Sequence, residues 1–163
     1  LDPWHFPRSI LAEQVLGLFE SGVSSALVFF APRRMGKTEF LCKDITPLAE
    51  NRRWRVFYFS FLDVGKSASS DFTRAFINFA KDQGALSKAD GLLKRVSKIS
   101  GSAGGIKADL ELREPEQAQQ SLKDVIAQFS KKEKLLLLMD EVQTLAQDHA
   151  NANFIASFRT VLD

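Results

Sequence analysis

Two stretches of this chain carry residues whose types and spacing fit phosphate chemistry. The first reads Ala31-Pro32-Arg33-Arg34-Met35-Gly36-Lys37-Thr38: a small residue, four variable positions, then Gly-Lys-Thr. A triphosphate needs many donors crowded together, and a loop of this kind wraps backbone N–H groups around it, with Gly36 permitting the close approach. A helix beginning near Lys37 adds unpaired N–H groups and the positive end of its dipole. Lys37 is expected to reach the β and γ oxygens as a mobile point charge, and the Thr38 hydroxyl to ligate magnesium. Ala31 stands where many such loops have glycine, which restricts the backbone. Arg33 and Arg34 either touch phosphate or are solvated or paired with acids of the domain. Ala31, Pro32, Arg33, Arg34, Met35, Gly36, Lys37, Thr38 and Glu39 form the expected nucleotide-contacting set.

The second stretch, Leu135-Leu136-Leu137-Leu138-Met139-Asp140-Glu141, is an apolar run ending in two carboxylates. Ligands of open parallel sheets bind beyond the carboxyl ends of the strands, so both acids should face the crevice that holds Lys37 and Thr38. Asp140 is expected to hold magnesium through a water, making Thr38 and Asp140 the metal pair. Glu141 is positioned to accept the proton of the water that attacks the γ-phosphate, and with Lys37 makes the catalytic pair. Alone, an acidic pair after a strand is weak, because Asp and Glu also begin loops and cap helices. Coupled to the phosphate loop, it is a specific combination.

These groups need a scaffold to bring them together. Residues 26–30, 54–61 and 135–139 are short apolar runs without strict alternation, as in parallel strands covered on both faces. Helical stripes lie between them: Leu11, Val15 and Leu18 with Gly22 as a stop, and Leu41, Ile45 and Leu48, which Pro47 should kink or end. Phe72, Phe76 and Phe79 follow, with Asp71 placed to cap the start, then Leu92, Val96 and Ile99. Ala118, Leu122, Val125, Ile126 and Phe129 repeat behind a first-turn Pro115, and Phe154, Phe158 and Val161 make a last stripe. After a glycine-rich turn at 100–105, the alternation of Ile106, Ala108, Leu110 and Leu112 predicts a half-buried strand at an edge or in a small hairpin. Strand alternating with helix predicts one three-layer α/β domain with a mostly parallel sheet, spanning residues 1–163.

At 163 residues and 45% hydrophobic, the chain has enough apolar side chains for a single core. No run approaches the length of a membrane span and no export leader is visible, so a soluble, cytoplasmic protein is expected. The lone Cys42 excludes an internal disulfide and reads as a small buried hydrophobe. A net charge of +2 with interspersed signs argues against a nucleic-acid partner. His5 and His149 lack ligand-spaced partners, which argues against a metal site at either. The start at Leu1 and the stop directly after an amphipathic pattern predict a piece of a longer chain.

With these motifs in place, the chain resembles the AAA-type P-loop ATPases of prokaryotes, especially the branch related to signal-transduction ATPases. Pro32-Arg33-Arg34-Met35-Gly36-Lys37-Thr38 and Asp140-Glu141-Val142-Gln143 match that branch's PRRxGKT and DExQ patterns. Phe6-Pro7-Arg8 resembles the segment that packs near adenine in such ATPases, and Ser60 to Asp63 looks like the family's next strand terminus. The resemblance implies ATP with Mg2+, and hydrolysis that drives a conformational or assembly change. It also implies a polar-tipped sensor strand between the phosphate-loop strand and the acidic strand, and a later helical lid. Neither is recognised in this sequence, so the resemblance implies that these residues are the first two thirds of the core, with a gap expected beside residues 26–30. Any contacts with a second copy or a protein partner are expected through the missing C-terminal part that the resemblance implies. The adenine preference rests on the resemblance; the sequence adds only the lack of an NKxD guanine-reading motif.

Several assignments stay open on sequence. Gln143 either senses the γ-phosphate or starts a helix, and Trp4 and Phe6 either flank adenine or pack on the core. Two other readings compete with an ATPase: a nucleotide-gated switch that seldom splits ATP, and a DNA-associated ATPase, which the near-neutral charge disfavours.

Overall fold

Two of the three apolar runs form strands, and they pair. The structure is a computed structural model that describes residues 5–32, 34–62, 64, 68–84, 115–147, 151, 154 and 156. In chain order its elements are α1 (Ser9–Glu20), α2 (Lys37–Glu39), a π-helical stretch (Phe40–Ile45), α3 (Thr46–Asn51), β1 (Trp54–Ser60), α4 (Ala68–Asp82), α5 (Pro115–Ser130), β2 (Lys134–Asp140) and a 3₁₀ stretch (Val142–Gln147). The described part is thus a mixed α/β arrangement around a two-stranded parallel sheet. The register sets Trp54 opposite Lys134 and Ser60 opposite Asp140, so both strands end level. A parallel pair needs a long crossover, and α4 and α5 lie within it.

Both faces of the sheet are covered, which is why its strands do not alternate in polarity. On one face Phe57, Phe59, Leu135 and Leu137 meet α4 and α5, around Phe72, Phe76, Val125 and Phe129. Phe57 stands edge-on to Phe72 and Phe76, with centroids 5.5 and 5.2 Å away. On the other face Val56, Tyr58, Leu136 and Leu138 pack on α1 and on the helical run 37–51, through Leu16, Phe40, Leu41 and Ile45. Phe154, one residue of the expected last stripe, is also buried.

Several expectations are corrected. Residues 26–30 form no strand: Val28 and Phe30 are exposed, Phe30 by 92%. A strand needs a neighbour for its backbone, and a cavity of about 620 Å³ separates this stretch from β2. In α1 the buried stripe is Ala12, Val15 and Leu16, while Leu11 and Leu18 are exposed. Pro47 does not end its helix. The winding before it widens to a π-turn, in which the Thr46 hydroxyl also donates to Leu41 O at 2.8 Å, and the helix then resumes. Asp71 lies inside the first turn of α4 rather than capping it, and pairs with Arg74. Cys42 is exposed. The stripe at Leu92, Val96 and Ile99, the turn at 100–105 and the strand expected from Ile106 to Leu112 lie outside the described residues, as do Phe158 and Val161. Among the described residues no helix is long and apolar enough to cross a membrane.

Candidate functional site

The phosphate-type loop ends in a left-handed residue. Gly36 has φ +67° and ψ +33° and precedes a helix that begins at Lys37. The positive φ favours glycine here, and a Cβ would in addition crowd Arg8 Nη2 at 3.2 Å, so that the arginine would have to give slightly. Arg34, exposed and also left-handed at φ +63°, gives the loop a second sharp turn. Lys37 curls back on its own loop, Nζ donating to Ala31 O at 2.8 Å and to Pro32 O at 3.1 Å. The ammonium is thus held against the loop's own carbonyls by solvent-exposed bonds, which an anionic acceptor, pairing charge with charge, can replace.

The acidic strand end meets this loop. Thr38 Oγ1 donates to Asp140 Oδ2 at 2.5 Å, across 102 residues of sequence. The same oxygen accepts the Tyr58 hydroxyl at 3.1 Å, and Oδ1 accepts the Glu141 N–H at 2.9 Å. Asp140 is buried, 5% exposed, and three donors fix its carboxylate. The level strand ends explain the geometry: Tyr58 and Asp140 lie on one face of neighbouring strands, two positions apart in register.

Glu141 has a strained backbone, φ +55°. Thr144 holds it there, its N–H and hydroxyl both donating to Glu141 O at 3.0 and 2.8 Å, while the hydroxyl also reaches Phe61 O at 2.9 Å. The Glu141 carboxylate accepts a bond from Gln143 Nε2. Ala31, Met35, Lys37, Asp140, Glu141 and Gln143 line one cavity with Arg8. Glu39 divides its carboxylate: Oε1 pairs with Lys43 at 2.9 Å, while Oε2 lies against Gly36, 3.4 Å from where a Cβ on that glycine would stand. Phe6 is exposed and does not pack on the core. Trp4, Arg33, Asp63 and His149 lie outside the described residues.

Thr38 and Asp140 offer the oxygen donors magnesium takes. Among the described residues no cluster of three or more metal-ligating side chains occurs. Magnesium needs none, since it keeps several waters and shares phosphate oxygens with its nucleotide.

Sequence reasoning missed Tyr58 and Thr144, and it named Arg8 only within the segment expected near adenine, not as a partner of the Met35 and Gly36 carbonyls. The signal for Tyr58 was its being the chain's single tyrosine, a hydroxyl within an aromatic strand. Burial first, then the Asp140 charge and hydrogen bond, push its phenol up to about 12. Burial and Asp140 also push the Cys42 thiol up, which leaves it a poor nucleophile. The folded phenol keeps its proton where the unfolded one, near 10.0, loses it. Its contribution to stability is complete below the unfolded value and is lost as pH rises through the folded one. Tyr58→Phe should therefore flatten the fall in stability between pH about 10 and about 12, measured as urea midpoints. Equal slopes in the two proteins would show that Asp140 does not hold the hydroxyl.

No family model, curated protein or solved structure matches the chain.

Proposed function

We propose that this chain binds ATP with magnesium and hydrolyses it, using a P-loop ATPase core of the AAA type to drive a conformational or assembly change. The observation that carries this reading is the contact of Thr38 Oγ1 with Asp140 Oδ2, on a loop whose lysine shares a cavity with Glu141. In this reading Lys37 exchanges the Ala31 and Pro32 carbonyls for β and γ oxygens. Thr38 and Asp140 would hold magnesium, Asp140 through a water, with Tyr58 steadying the carboxylate. Bound there, magnesium would neutralise charge on the phosphates. Glu141 accepts a proton as the water oxygen bonds to the γ-phosphorus; the bond to the bridging oxygen breaks and ADP leaves with that electron pair.

A second reading, a nucleotide-held switch with little turnover, is favoured by the Gln143 bond to the Glu141 carboxylate, which takes up one oxygen of the proposed base and lowers its readiness to accept a proton. Equilibrium binding of ATP with and without Mg2+, followed by single-turnover phosphate release, tests both. Magnesium-dependent binding with release supports the ATPase, and binding without release supports the switch. A chain that binds no nucleotide overturns both.

A further inference from the structure

Arg8 precedes α1, in a segment the family resemblance would assign to the adenine base, yet its side chain goes elsewhere. Arg8 Nη2 donates to Gly36 O at 2.6 Å and Nη1 to Met35 O at 3.2 Å. Its guanidinium lies over the Phe40 ring, 5.0 Å from the centroid. Behind it stands Asp44, a buried carboxylate of the π-helical stretch, whose Oδ1 is 2.7 Å from His5 Nε2. Arg8 Nε and Asp44 Oδ2, both buried and without a hydrogen bond, stand 3.5 Å apart. The residues before α1 are thus tied to the loop and to the helix that follows it.

The direction of these bonds matters. In a trans peptide unit the C=O and N–H point opposite ways across one plane. Fixing the carbonyls of Met35 and Gly36 therefore fixes the planes that carry the Gly36 and Lys37 N–H groups; Gly36 O is shared with the Phe40 N–H at 2.9 Å, while Met35 O is held by Arg8. Those two amides are turned away from Arg8. They are the donors a phosphate group would use at the start of the helix. The planar fork suits two carbonyls at once, which a single ammonium would not match.

We infer that Arg8 is a positioning residue for polyphosphate binding: through the Met35 and Gly36 carbonyls it aims the loop's amides, and it acts on the phosphates rather than on the base. This rests on the nucleotide-binding reading above. Because Arg8 acts through the loop, its loss should weaken every polyphosphate ligand alike.

The test compares the wild-type chain with Arg8→Gln, Arg8→Lys and Asp44→Asn. Binding is measured for MgATP, MgGTP and inorganic tripolyphosphate, beside the thermal midpoint. Trypsin cleavage after Arg34 in nucleotide-free protein reports the loop independently. For Arg8→Gln the expected result is weakening by a common factor of about ten for all three ligands, with cleavage about tenfold faster. Arg8→Lys should fall between Arg8→Gln and wild type. Asp44→Asn, which leaves both loop bonds in place, should show a smaller common loss. Weakening confined to ATP, or an unchanged cleavage rate in Arg8→Gln, would overturn the inference. If wild type binds none of the three ligands, the nucleotide reading fails on its own. The cleavage rate then decides the clamp: faster in Arg8→Gln supports it, unchanged refutes it.

Discussion

Lys37→Ala should weaken MgATP binding by about 100-fold or more, or about 3 kcal/mol, while leaving the fold intact. Two charge-assisted bonds to phosphate oxygens are each worth about 1.5–3 kcal/mol, and alanine removes both. The lysine's present partners are solvent-facing carbonyls of its own loop, so stability should move by no more than about 0.5 kcal/mol. Isothermal titration with a thermal melt on the same sample reads both quantities. Affinity within a few-fold of wild type would remove Lys37 from the site, and with it the phosphate reading of the loop.

The second large effect concerns turnover. Glu141→Gln keeps an oxygen that can accept the Gln143 bond and keeps the backbone pinned by Thr144, but it cannot take a proton at neutral pH. Binding of MgATP should stay within about threefold, while single-turnover phosphate release falls about 100- to 10,000-fold. Release at the wild-type rate would show that the proton goes elsewhere. Slow release in wild type that is unaffected by the substitution would favour the switch.

The meeting of Thr38 with Asp140 was legible in the sequence from two local motifs, although the strand expected to deliver Thr38, residues 26–30, does not form and only Asp140 ends a strand of the parallel pair. The core was legible where helical period and burial agree, as at Phe72 and Phe76. It was not legible at Cys42, because residue type alone marks it as a small buried hydrophobe, whereas it falls beside the buried stripe of Leu41 and Ile45. Tyr58 was hidden by its company: among phenylalanines and tryptophan it reads as core, and only the register sets its hydroxyl against Asp140. Arg8 bonds a loop 28 residues away, and no periodicity carries that information. Residues 26–30 show the limit of hydropathy, which reports a wish for burial but not whether a hydrogen-bonding neighbour exists.

That uncovered stretch has a practical consequence. Ala26-Leu27-Val28-Phe29-Phe30 is uncharged and free of proline, and β2 pairs with no strand other than β1 among the described residues. Such composition beside an open backbone edge is what seeds fibrils, one molecule templating the next. Concentration, more than heat, would set how long a purified sample stays dispersed.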